Sequence, residues 1–588
     1  MPTRRKAVVA AVVLVLIVAG LGLRLLTVAS SATGHLQRAA TLVEDLERQL
    51  RAGDLDGARR TAADLRRQAG EARDDTHGPS WWLASSLPAA GDDLAAVAAV
   101  ATAVDALADR VLPPLLDAAD GMATAVGRGS GGDDGAEALQ RVRSVAPRIA
   151  EAATVARNER ARLAGLDRGG LDPRVRTAVE QVLSGLDRVV PVLEPVARAA
   201  ALLPGLLGVD GPRTYLVLFQ NLAEVRATGG MPGAFVVLQA DRGTIGIVEQ
   251  GTAATTLGTF PAPVLPLDPD QEELHTDRLG RFPADVNLTP DFPTAAILAR
   301  EMYRVRSGRT VDGVLATDPV ALSYLLRATG PVPVPSGPPL TAENAVKQLL
   351  SEVYLTIAAE PAQDAYFAGA ARAVFDRLVS TTAADPDLYR ALSQAVAERR
   401  LLAWSAHPEE QQAIAGTVFA GTLPEDDGDR PTVGVFLNDG TGAKLGYYLT
   451  RAAELTVGPC LEDGTRQLGL TVTLGSNAPR TGLPRSVLGL GLAGEYTIRT
   501  NVMVYAPTDG MPVAVVQDGK AVEFGTGMDK GRAVAVIPVD LAPGARSTVK
   551  LALITGPVRN GALTPRLVTT PGVAPWALQV RSGAACSR

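Results

Sequence analysis

Glu224, Arg226 and the run Thr228-Gly229-Gly230 stand close together in the chain, and that combination can hold an anion. A guanidinium offers two parallel N–H donors to a phosphate or carboxylate. Consecutive glycines permit positive φ, and so can aim a row of backbone N–H groups at one point. Asp285 and Asp312 are the downstream carboxylates that join them as candidate site residues. The same residues have a plainer use, as a connection between two strands in which Glu224 pairs with Arg226.

Other chemistry is poorly represented. Gly489-Leu490-Gly491-Leu492-Ala493-Gly494 matches the spacing of a dinucleotide loop, but it lies in a strand-rich region with no helix opening after it, and so reads as a loop. Asp268-Pro269-Asp270-Gln271-Glu272-Glu273 lacks the glycine of a calcium-binding EF-hand loop. A looser calcium site using Asp285 or Asp291 is the remaining acidic arrangement. His35, His77, His275 and His407 are too dispersed for a zinc pattern, and no GxSxG elbow is present. Asn287-Leu288-Thr289 is a formal glycosylation sequon read as coincidence. No cofactor is expected, and whether the chain is an enzyme stays open.

The elements that must position these residues follow from period and punctuation. Ala32 to Leu203 is helical, with Leu36, Leu42, Val43, Leu46 and Leu50 at helical spacing. Gly53-Asp54-Leu55-Asp56-Gly57 breaks that pattern before Ala58–Gln68. Gly127–Gly135 reads as a loop, and further helices are expected over 136–166 and 173–203. Trp81-Trp82 falls between polar helices and is assigned to bundle packing. From Pro212 the period turns to alternation, with strands at 215–219, 235–238, 245–248, 311–317 and 401–404 and helices between the later ones. Beyond Val433 short strands and turn residues dominate, the pattern of a β-sandwich. The expected protein is therefore multi-domain: one N-terminal transmembrane helix with its cytoplasmic tip (1–31), an all-α bundle or coiled-coil stalk (32–205), a central mixed α/β domain (206–425) and a C-terminal β-sandwich (426–588).

The membrane assignment rests on Arg4-Arg5-Lys6 followed by an uncharged apolar run from Ala7 to Leu23. About 20 apolar residues cross the hydrocarbon core, and basic residues before the run keep the N-terminus cytoplasmic. The bulk is then extracytoplasmic. A cleaved signal peptide ending near Ser30-Ser31-Ala32 is the competing reading and leaves the bulk in the same compartment. Cys460 and Cys586 are the only cysteines, and in an oxidising compartment they form a natural bridge; two separate thiols are the alternative. A formal charge of -6 argues against a nucleic-acid partner.

Several pieces in order carry a resemblance: Gly211-Pro212-Arg213-Thr214-Tyr215 running to Gln220-Asn221, Glu224-Val225-Arg226-Ala227-Thr228-Gly229-Gly230, Asp291-Phe292-Pro293, and Val311-Asp312-Gly313-Val314 with Asp318-Pro319. Gly330-Pro331-Val332, Asp439-Gly440-Thr441 with Lys444, and Asn477-Ala478-Pro479 continue the series. This order resembles the bacterial domain-of-unknown-function family 4012. The resemblance implies a membrane-anchored envelope protein and no known reaction. The element order is also similar to that of LytR–CpsA–Psr phosphotransferases, which move polyprenyl-phosphate-linked glycans onto the cell wall. Their acidic and Arg-Asp pairs lack clear counterparts here, and Gly229-Gly230 stands where an acidic residue is expected. The expected role is a binding or scaffolding module for cell-wall glycan or an envelope partner protein. The alternative is a phosphotransferase-like enzyme acting on polyprenyl-linked glycan.

Overall fold

The computed structural model describes the chain outside residues 1–34, 36–37, 40, 47, 50–53, 79–80, 82–84, 86–90, 126–132, 381–385, 429, 558–562 and 584–588. The Ala7–Leu23 run therefore lies outside the described residues. The chain forms two compact units, one holding residues up to Arg213 with two short later segments, the other holding most of 214–588.

The first unit is helical. Its described helices include α1 (Leu55–His77), α2 (Gly91–Ala106), α3 (Leu112–Ala125), α4 (Asp133–Ala164) and α5 (Pro173–Leu206). The expected break at residues 53–57 is a helix start: Asp54 is the N-cap, and its carboxylate accepts the Gly57 N–H at 2.8 Å. Asp172 caps α5 in the same way, with Pro173 supplying a preset φ in the first turn. Val175, Val179, Val182, Leu186, Val189 and Leu193 of α5 join one core with Leu65, Val104, Leu112 and Ile149. Trp81 packs on that core and donates its indole N–H to Leu94 O. Among the described residues α5 alone is long and apolar enough to cross a membrane, and it lies inside the chain, not at its N-terminus.

The second unit carries three sheets. The first has the order β3-β2-β1-β4-β5, from β1 (Arg213–Arg226), β2 (Gly229–Asp241), β3 (Thr244–Thr252), β4 (Gly313–Thr317) and β5 (Leu401–Ser405). β4 runs parallel to β1, with Tyr215 opposite Gly313, and antiparallel to β5. The helices α6 (Pro269–His275), α7 (Phe292–Ser307) and α8 (Pro319–Thr329) begin at the carboxylates of Asp268, Asp291 and Asp318, each with a proline in the first turn. Leu216, Leu218, Phe235 and Val314 of the sheet pack on Phe292, Ala296, Met302 and Tyr303 of α7. Later come α9 (Glu360–Ser380) and α10 (Pro408–Ile414). α10 ends before Gly416, which takes a positive φ.

The other two sheets face each other. β6 (Thr432–Asp439), β9 (Ile498–Tyr505), β12 (Gly525–Asp529), β13 (Arg532–Leu541) and β15 (Arg566–Thr569) form one, in the order β12-β13-β9-β6-β15. The other contains β7 (Leu449–Cys460), β8 (Arg466–Ser476), β10 (Met511–Gln517), β11 (Lys520–Ala521), β14 (Arg546–Ile554) and β16 (Ala577–Val580). Alternation places Leu468, Leu470, Val472 and Leu474 inward, in one core with Val433, Val435, Val504 and Ile537. A side chain of this kind contributes about 1.5–3 kcal/mol when fully buried.

The tip of the β1–β2 hairpin belongs to both sheet systems. Val225 joins the core between the facing sheets, and Ala227 packs with Phe436, Met503 and Tyr505. The Ala227 N–H donates to Asn438 Oδ1 at 2.9 Å, and its carbonyl accepts from the Thr570 hydroxyl at 3.0 Å. Gly446 lies so close to the hairpin that a Cβ there would stand 2.7 Å from Ala223 O.

Cys460 ends β7 and is not a free thiol. Cys586 lies outside the described residues.

Candidate functional site: a buried charge cluster at the hairpin tip

Arg226 is the last residue of β1 and is 5% exposed. Its Nη2 donates to Glu224 Oε1 and to Asp285 Oδ1, both at 2.9 Å, and its Nη1 donates to Val225 O at 3.1 Å. Glu224 and Arg226 reach the same side because residues two apart on a strand share a face. Asp285 comes from a 3-10 turn, Pro283–Asp285, and its second oxygen accepts from Arg278. Lys444 Nζ lies 3.7 Å from Glu224 Oε2 and 5.4 Å from the centre of the Tyr354 ring.

Asp439, at the end of β6, completes the group. Its carboxylate accepts the N–H groups of Thr441, Gly442 and Ala443 and the Thr441 hydroxyl. Burial works against the charge on Arg226, yet Glu224, Asp285 and Asp439 together hold the guanidinium above its ordinary value. The Asp439 carboxyl is pushed up to about 6; burial is the largest cause, Arg226 opposes it, and Glu224 adds to it. Three cations, Arg226, Lys444 and Arg278, thus face three carboxylates, Glu224, Asp285 and Asp439.

The structure brings Glu224, Arg226 and Asp285 together and leaves Asp312 elsewhere. Asp312 precedes β4, accepts the Thr214 N–H at 2.8 Å and pairs with His407 Nε2 at 3.0 Å. Thr228, Gly229 and Gly230 are buried beside the cluster. Thr228 lies in the two-residue turn between β1 and β2, and the glycines open β2. The Gly230 N–H is engaged by Gln220 Oε1 at 3.2 Å, and the Gly230 carbonyl accepts from Asn287 Nδ2 at 2.7 Å. These groups hold the hairpin closed. Asn287, read in the sequence as an incidental sequon, is thus a strut of the tip. No group of three or more metal-ligating residues occurs among the described residues. Asp268 and Asp291, both weighed for calcium, are helix caps.

Asp439, Lys444 and Arg278 were not legible as members of this cluster. The available signal was the ordered motif Asp439-Gly440-Thr441 with Lys444, which carries no indication of what it faces.

The Asp439 carboxyl gives a pH-dependent prediction. Its ordinary value is 3.8 and its folded value about 6, so between those limits the folded protein binds this proton more tightly than the unfolded chain. The stability it confers is present in full at low pH and is lost as pH rises through about 6. Asp439→Asn is therefore expected to gain on wild type by on the order of 2–3 kcal/mol between about pH 4 and about pH 7. Urea midpoints across that range check it, and parallel pH profiles for the two proteins would refute it.

Comparison with known proteins gives little beyond this. No curated protein matches. The crystal structure of a chain described as the transcriptional regulator yvhJ from Bacillus subtilis is similar at 12% identity and a TM-score of 0.22, covering 35% of this chain and 77% of that one. The profile of the family described as protein of unknown function DUF4012 matches residues 210–354, which hold the β1–β2 hairpin, Arg226 and Asp285. Over that segment, about a quarter of its length, the chain is similar to the DUF4012 family.

Proposed function

We propose that the protein is a membrane-anchored, extracytoplasmic component of the cell envelope that binds or scaffolds cell-wall glycan or an envelope partner and performs no reaction of its own. One observation carries the non-catalytic part: the Arg226 cluster is neutralised by its own members and buried at the junction of two sheet systems. Charges in that arrangement hold a fold together, because each is compensated before any ligand arrives. The location is supported by Arg4-Arg5-Lys6 and the Ala7–Leu23 run. A Cys460–Cys586 bridge belongs to the same proposal, since it requires an oxidising compartment.

The purified full chain would be incubated with a polyprenyl-pyrophosphate-linked glycan and, separately, with cell-wall glycan fragments. Retention of glycan with no release of the lipid carrier is the expected result. Carrier release that Asp439→Asn abolishes, in a protein that still unfolds in one cooperative transition, would overturn it. That outcome favours the second reading, a phosphotransferase-like enzyme, whose specific support is the raised Asp439 carboxyl beside an arginine. A C-terminal reporter active only in the cytosol would remove the compartment and the bridge together.

A further inference from the structure

Away from the charge cluster, a cavity of about 260 Å³ opens between β1–β3 and α9. Phe219 and Phe367 are among its lining residues, while Phe235, which also borders it, turns its ring to Tyr303 on the other face of the sheet. Its wall is fixed, because Gln250 on β3 donates its amide N–H to Ala368 O of α9 at 3.0 Å. The hydroxyls of Thr252 and Thr255 that reach it bond to each other at 2.7 Å. Asp364 of α9 is the one ionic side chain among the lining residues. No donor among the described residues bonds its carboxylate, and Glu360, one helical turn earlier, adds a second negative field.

We propose that this cavity is a binding site for a small organic cation, an ammonium group carried on an apolar body. Phenyl faces attract a cation through the ring quadrupole and accept the apolar part, while an unpaired carboxylate supplies the counter-charge. The same lining rejects phosphates and carboxylates, because nothing in it offsets a negative charge. The site is separate in chemistry from the Arg226 cluster and does not depend on the function proposed above.

The test uses the full chain and three probes of one shape: benzylammonium, benzyl alcohol and benzoate, followed by ligand-observed NMR. Benzylammonium is expected to bind at least about ten-fold more tightly than benzyl alcohol, and benzoate not at all. Asp364→Asn is expected to bring benzylammonium down to the level of benzyl alcohol, and Phe367→Ala to weaken both. Equal binding of all three probes, no binding of benzylammonium, or a preference that survives Asp364→Asn would each overturn the proposal. Asp364 is incompletely buried and makes no hydrogen bond among the described residues, so its variant retains the fold as a control on Phe367→Ala.

Discussion

Arg226→Met is expected to cost the protein about 3–5 kcal/mol of stability, the largest single-residue effect predicted for the second unit. The guanidinium sits between Glu224 and Asp285, each 9% exposed or less at the side chain, and Asp439 acts on it through space. Methionine fills much of the volume but leaves those carboxylates facing one another, with only Lys444 and Arg278 at the rim. The urea midpoint of the purified protein reads the loss. A combined variant, Arg226→Met with Glu224→Gln and Asp285→Asn, should recover part of it, because replacing a buried ionic network whole costs far less than removing one member. If Arg226→Met keeps the wild-type midpoint but loses glycan, the cluster recognises ligand and the structural assignment falls.

Gly230→Val should be nearly as damaging, at about 3 kcal/mol or more, for a different reason. A Cβ at this position would stand 2.1 Å from Asn221 O and 2.2 Å from its carbonyl carbon. Those atoms are backbone of β1, so relief requires the hairpin strands to separate. Separation would also break the bonds of Gln220 Oε1 and Asn287 Nδ2 to Gly230. A lowered melting temperature with a less cooperative transition is the expected signature. Had Gly229 and Gly230 formed an open anion-binding nest, the same substitution would weaken ligand binding and leave the melting curve where it was. The two measurements on one variant separate these cases.

How far the fold was legible depends on whether the information was local. The carboxylate–proline pairs Asp172-Pro173 and Asp318-Pro319 mark helix starts because both halves of the signal, a cap acceptor and a fixed φ, are adjacent in the chain; the same pair at Asp268-Pro269 was weighed only as a calcium loop, and it too opens a helix. Strand runs such as Leu468–Leu474 declare their inner face by alternation. Gly57 misled for the same local reason: it looks like a breaker, yet it sits in the first turn of α1, where its N–H satisfies Asp54. The short edge strands β15 and β16 went unseen, since each has four residues and pairs in parallel with a strand far back in the chain.

The candidate cluster was legible only in its local half. Glu224 and Arg226 share a strand face by spacing alone, and that much could be anticipated. Asp285 and Asp312 looked equivalent, two acids downstream of a strand, but the turn at Pro283 aims Asp285 at Arg226, whereas Asp312 is held by the start of β1. Asp439 and Lys444 arrive from the far side of the fold, and no periodicity reports a contact of that range.

The hairpin tip also sets an order of events during synthesis. Ala227 waits for Asn438, 211 residues further on, and for Thr570, 343 residues further on. Until those segments emerge, the tip has no seat and its apolar and charged groups remain in water. Chains truncated before Thr570 should therefore stay protease-sensitive near Ala227 however much of the first sheet they contain.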